Sequence, residues 1–211
     1  MTKNKIVGAS GVDEIIVQYC CELVGRDCAL EIMKDKKAFS KNLHETYEFP
    51  GIESTVNFLH ALGSEKENLG YKIGLASANT KENIMRGLKR LTIDQYFDVI
   101  VSADDLTAYS DPEGTNKPKP YVYLEAAKLL SLSPEECVAI EDSHPGISSA
   151  VSAGCITIAI PNAYTVCQDL SHAHLKMLSF LNVTPSDFLQ TVANYKMEIL
   201  ADEIVKSQGE K

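Results

Sequence analysis

The chain has 211 residues, 45% of them hydrophobic, which suffices for one full α/β core with a small appendage and not for two large domains. A formal charge of −9, with 29 acidic against 20 basic residues and no Lys/Arg run, argues against nucleic acid as a partner. No window supplies the roughly 20 consecutive apolar residues of a bilayer span and no signal-peptide pattern opens the chain, so the expectation is a cytoplasmic protein without a membrane partner.

In chain order, residues 1–49 read as helix only. Val12, Ile15, Ile16, Tyr19, Cys20 and Leu23 recur at helical spacing, with no strand of comparable quality. This predicts a small helical subdomain over 1–49, closed by Pro50-Gly51, and a separate core over 50–211. Ile52, Val56, Leu59 and Leu62 open that core as a helix.

From Gly70 onward, short apolar runs alternate with amphipathic stretches, the pattern of βα units winding a parallel sheet. Four strands are predicted, at 71–77, 97–102, 137–140 and 155–160; each is too uniformly apolar to be a half-exposed hairpin strand. Between the first two a helix is expected with Asn79 as N-cap and Ile84, Leu88 and Leu91 on one face. Pro120 opens another, with Val122, Ala126, Leu129 and Leu130 as its buried stripe. A third runs from about Pro145 to Gly154, and a long amphipathic segment over 184–206 aligns Leu189, Ala193, Met197, Leu200 and Ile204. Of six cysteines, Cys20 and Cys21 are adjacent and Cys137 and Cys155 each begin an apolar run, so reduced, buried thiols are expected; no C-x-x-C pair suggests zinc.

In an open parallel sheet, ligands gather beyond the carboxyl ends of the strands. The first strand ends in Ser77-Ala78-Asn79, a hydroxyl and free amides at a helix N-terminus, which suits an anion and equally suits simple capping. After the second strand and a polar loop over 103–116 comes Lys117-Pro118-Lys119-Pro120, where Lys117 has little freedom and fits a point charge aimed at phosphate. The third strand runs into Glu141-Asp142-Ser143. Capping accounts for one acid; the adjacent second acid repels it unless a hard cation such as Mg²⁺ takes oxygen from one or both.

Residues 72–79, Lys117-Pro118-Lys119-Pro120 and the stretch 140–147, continuing through Ala150 and Ala153-Gly154, resemble the second, third and fourth motifs of the haloacid dehalogenase-like phosphohydrolase superfamily, in its β-phosphoglucomutase-like branch. The resemblance implies a Rossmann-like parallel sheet with a helical cap. Ser77 and the amide of Ala78 would hold a phosphoryl group, Lys117 would neutralise it, and Glu141 with Asp142 would position Mg²⁺ directly or through water. The reaction on a small phosphorylated metabolite would pass through an aspartyl-phosphate.

The family's first motif, aspartate-x-aspartate-glycine after an initial strand, does not occur in this sequence; Asp13 and Glu14 sit inside the first amphipathic helix. No catalytic residue is therefore assigned, and residues 1–49 resemble only part of the cap. In the family the first strand lies at the centre of the sheet, so its loss should leave two inner edges with unpaired amides and carbonyls. The expectation is a fragment, or a chain whose sheet a partner completes, with little turnover of its own. A non-catalytic relative that keeps the site for binding or regulation is the alternative. A receiver-like or nucleotide-binding module fits less well, for no G-x-G-x-x-G or Walker loop follows any strand. Tyr121 stands where the family often has Asp, and His144, His172 and His174 are expected as solvated side chains, the last two on a polar helix.

Overall fold

The computed structural model describes residues 21, 23–46, 51–112 and 114–209. Val12, Ile15, Ile16, Tyr19, Cys20 and Pro50 lie outside them; Leu23 is helical and exposed. Helix α1 (Arg26–Thr46) buries Ala29 and Met33. Helix α2 (Glu53–Leu69) buries Phe58 and Leu62 and stops at Gly70, whose φ of 70° gives the left-handed turn that frees the chain for the first strand.

Then follow β1 (Gly74–Ala76), α3 (Lys81–Arg90), β2 (Val99–Val101), α4 (Tyr121–Leu130), β3 (Val138–Glu141), α5 (His144–Ala153), β4 (Ile156–Ala159), β5 (Leu175–Lys176) and α6 (Pro185–Gly209). The order is that of βα units, and every pairing is parallel. The strands form two sheets. β1 pairs with β2, Gly74 opposite Val99 and Ala76 opposite Val101, while β3, β4 and β5 pair in sequence, with Ile140 opposite Ile158. Among the described residues no strand joins β1 to β3, which leaves both with one open edge.

Helices hold the halves together. Ile73, leading into β1, and Ile158 of β4 meet in one cluster with Phe58 and Leu62 of α2 and Phe188 and Val192 of α6. Within it Phe58 stacks on Phe180 at 4.0 Å and meets Phe188 edge-on at 5.4 Å, contacts worth about 0.5–1.5 kcal/mol each beyond area burial. On the other face α4 packs on β1 and β2, α5 packs on β3 and β4, and the two helices pack on each other.

Several local expectations are corrected. The N-cap of α3 is Thr80, whose side chain accepts from the Asn83 amide; Asn79 stands one residue outside and accepts from the Thr80 amide. Leu129 is exposed, the buried stripe of α4 being Val122, Ala126, Ala127 and Leu130. Only the first half of α6 meets α2, so Met197, Leu200 and Ile204 face solvent: periodicity reports that a helix is two-sided, not what covers it. The loop over 103–116 contains a 3₁₀ helix (Ala103–Ala108). The described cysteines are free, and Cys155 is buried, but Cys28 and Cys167 are exposed. No helix among the described residues is long and apolar enough to cross a membrane.

Candidate phosphate and metal site

Ser77, Glu141 and Asp142 stand at the carboxyl ends of β1 and β3, whose facing edges do not meet, and Lys117 reaches them from the loop before α4. Ser77 directly follows β1; its amide donates to the Val101 carbonyl at 3.0 Å, so β2 still fixes the backbone there. Its Oγ accepts from the Asn79 amide at 3.1 Å and keeps its own proton to donate. Ala78, exposed, lies between Ser77 and the start of α3.

Lys117, in the loop before α4, crosses to β3. Its Nζ donates to the Ala76 carbonyl at 3.2 Å, to the Tyr123 hydroxyl at 3.4 Å and to Glu141 Oε1, and lies 4.9 Å from the Tyr123 ring centroid. The side chains of Lys117 and Glu141 are only 13% and 9% exposed, which makes this a buried ion pair. One ammonium thus ties the end of β1 to the end of β3, across the open edges.

Glu141 Oε1 also accepts from the Tyr123 hydroxyl. Its Oε2 rests on the backbone of Gly146 in the first turn of α5, where a Cβ would lie 1.9 Å from it. Any larger residue at 146 would displace the carboxylate. The Tyr123 phenol is pushed well above its ordinary value, first by burial and then by the charge of Glu141, so it stays protonated and serves as the donor.

Asp142 points elsewhere: its Oδ2 accepts from Asn162 Nδ2 at 2.6 Å. Although the residue as a whole is exposed, partial desolvation of its carboxyl first, and then the charge of Glu141, raise it above the usual range, opposed by Lys117 and Asn162. The repulsion expected of adjacent acids is therefore present, and a cation beside Asp142 would relieve it. Among the described residues no three His, Cys, Asp or Glu side chains cluster as a metal cage. Mg²⁺ does not require one, since it takes one or two carboxylates and completes its shell with water and phosphate oxygens. In that respect the donor set fits.

An acid whose pKa is higher folded than unfolded binds more protons in the folded state, so its ionisation works against the fold above the raised value, and the effect vanishes below the ordinary 3.8. Asp142→Asn, without Mg²⁺, is accordingly expected to melt at a higher temperature than the parent at pH 7, with the gap closing as the pH falls below about 4. Differential scanning calorimetry across that range checks it; equal melting temperatures at pH 7 would show that no charge strain resides at Asp142.

Around this centre, Tyr121 donates to Asp111 at 2.8 Å and Lys119 pairs with the same carboxylate at 2.6 Å, clamping the polar loop to the start of α4. The histidines stand apart from the Lys117–Glu141 pair. His144 begins α5 with Nδ1 2.7 Å from the Asp169 carbonyl oxygen, and its ring meets His172 edge-on. His172 and His174 lie in a turn leading to β5, not on a helix, and His174 Nδ1 accepts from the Thr157 amide at 3.0 Å. Sequence reasoning missed Tyr123, Gly146 and Asn162. A glycine in the first turn of a helix is a recognisable sign of close approach; Tyr123 carries no sign beyond lying six residues after Lys117.

The chain matches the haloacid dehalogenase-like hydrolase family over residues 11–160. It is 33% identical to YhcW of Bacillus subtilis over 150 residues, which is 70% of this chain and 62% of that protein. It is 30% identical to the phosphorylated carbohydrates phosphatase of Thermotoga maritima over 135 residues, 60% of this chain and 56% of that one. The chain thus spans less than two thirds of the length of these curated relatives. Among solved structures, β-phosphoglucomutase from Clostridium difficile superposes with a TM-score of 0.65 at 24% identity, covering 93% of this chain and 82% of that one. CbbY from Rhodobacter sphaeroides, solved with phosphate, gives 0.55 at 26% identity over 73% of this chain and 65% of its own.

Proposed function

This chain belongs to the haloacid dehalogenase-like hydrolase family, and we propose that it carries the phosphate- and Mg²⁺-binding part of a phosphohydrolase or phosphomutase site for small phosphorylated metabolites. The observation that carries this reading is the position of Lys117: one buried ammonium set between the end of β1 and the acid at the end of β3. Ser77 and the Ala78 amide, at the approach to α3, take phosphoryl oxygens. A phosphoryl oxygen replaces the contact of Lys117 with the Ala76 carbonyl at 3.2 Å, while the hold of Tyr123 and Glu141 on the ammonium persists. Asp142, with Glu141 acting directly or through water, would hold Mg²⁺, which would supply positive charge to offset that of the phosphoryl oxygens. The phosphatase of phosphorylated carbohydrates among the relatives, and the phosphate in the CbbY structure, support a sugar-phosphate-sized substrate.

On this reading the nucleophilic aspartate belongs to a strand that the present sequence does not contain, placed between β1 and β3. The open edges of those strands support that placement. The strand comes either from a longer form of the protein or from a partner. Helix α1 (Arg26–Thr46) belongs to a helical cap that shapes the substrate side of the site.

The test is turnover of p-nitrophenyl phosphate with Mg²⁺ by the chain as it stands and by a form extended with any reading frame preceding Met1, each with and without Glu141→Ala/Asp142→Ala. Turnover that needs both the extension and the acid pair establishes the phosphohydrolase. Turnover by the short chain that survives loss of the acids rejects the site. Phosphate and Mg²⁺ binding without turnover in any form establishes the binding protein instead.

A further inference from the structure

We propose that Tyr123 is a positioning residue for this site, holding Glu141 and Lys117 in the one arrangement that keeps the ammonium at the strand ends. The inference rests on reading Lys117 as the counter-charge of phosphate. Of the three side chains, Tyr123 is the rigid one. It sits in the first turn of α4, a helix packed on β1, β2 and α5, and has two side-chain torsions. Lys117 comes from a loop on a flexible four-carbon stem, and an unheld lysine gains rotamer freedom and hydration by turning to solvent.

Tyr123 opposes that in two ways. Its hydroxyl oxygen accepts from Lys117 Nζ at 3.4 Å while its proton goes to Glu141 Oε1, and its ring face lies 4.9 Å from the ammonium. The hydroxyl therefore closes a three-membered ring of hydrogen bonds, in which Lys117 also reaches Glu141 directly. Gly146 completes the cradle, since the Glu141 carboxylate fills the space that a side chain at 146 would take. A phenylalanine at 123 would keep the ring and the packing and lose both hydrogen bonds.

Two measurements on the full chain test this. In the free protein, the Lys117 ammonium should give an observable ¹H–¹⁵N resonance, protected from exchange, and Tyr123→Phe should remove it; an unchanged resonance in the variant overturns the proposal. With Mg²⁺ present, inorganic phosphate measured by calorimetry should bind about tenfold more weakly to Tyr123→Phe, the effect of one charge-assisted hydrogen bond. A merely structural tyrosine would lower the unfolding midpoint and leave phosphate affinity alone, and that result also overturns it. Should Tyr123→Phe not fold, the parent decides: its Tyr123 hydroxyl proton is expected as a slowly exchanging downfield resonance, and absence of that signal rejects the ring. A parent that binds no phosphate would reject the functional reading, while the ammonium resonance would still decide the role of Tyr123.

Discussion

Lys117→Met is expected to lower the free energy of unfolding by about 3–5 kcal/mol, the usual cost of removing one partner from a buried ion pair. The pair meets the conditions for a cost of that size. Glu141 is 9% exposed and its Oε2 lies against the Gly146 backbone. Without the lysine, the carboxylate keeps only the Tyr123 hydroxyl as a donor among the bonds to Oε1, and the Ala76 carbonyl loses its side-chain partner. Methionine fills most of the volume of the lysine stem, so lost packing contributes little. Urea unfolding with linear extrapolation measures the loss. Adding Glu141→Gln to the same chain should recover a substantial part of it, because a neutral amide leaves no stranded charge. If Lys117→Met unfolds at the parent's urea concentration, the lysine does not bridge β1 to β3.

The sequence was most legible where physics is local. Uniformly apolar runs predicted β1 to β4, a glycine beyond a periodic stretch predicted the end of α5, and position after strands singled out Ser77, Lys117, Glu141 and Asp142, of which Ser77, Glu141 and Asp142 stand at the ends of β1 and β3. The contact of Lys117 with Glu141 was not legible, since nothing in 24 residues of separation says which of two neighbouring acids an ammonium will choose. Strand alternation decides it. Glu141 lies on the face of Ala139, toward α4 and α5, whereas Asp142, beyond the strand, turns to Asn162. Likewise β5, two residues long, offers no pattern, and it is set by its place beside β4. The absence of an aspartate-x-aspartate motif implied a missing central strand; among the described residues β1 and β2 form one sheet and β3 to β5 another.

That division of the sheet yields the second large effect. Ile140 and Ile158 stand directly opposite each other on β3 and β4 and so share one face of the sheet. Ile158 is 0% exposed, in the cluster with Phe58 and Phe188, whereas Ile140 is 39% exposed. The two side chains have the same chemistry and the same register. Their difference is lateral: β4 has a neighbour on each side, and among the described residues β3 has none toward β1. Ile158→Ala should therefore cost about 2–5 kcal/mol, transfer and cavity together, and Ile140→Ala less than about 1 kcal/mol, as much of its surface is already in water. Chemical denaturation of the two variants gives both numbers. In a form of the protein that carries a strand between β1 and β3, Ile140 becomes an interior residue, and the cost of Ile140→Ala should rise toward that of Ile158→Ala. Equal and large costs in the present chain would mean that Ile140 is already covered in solution, by a second copy or by residues outside those described, and concentration dependence of the unfolding midpoint would separate the two.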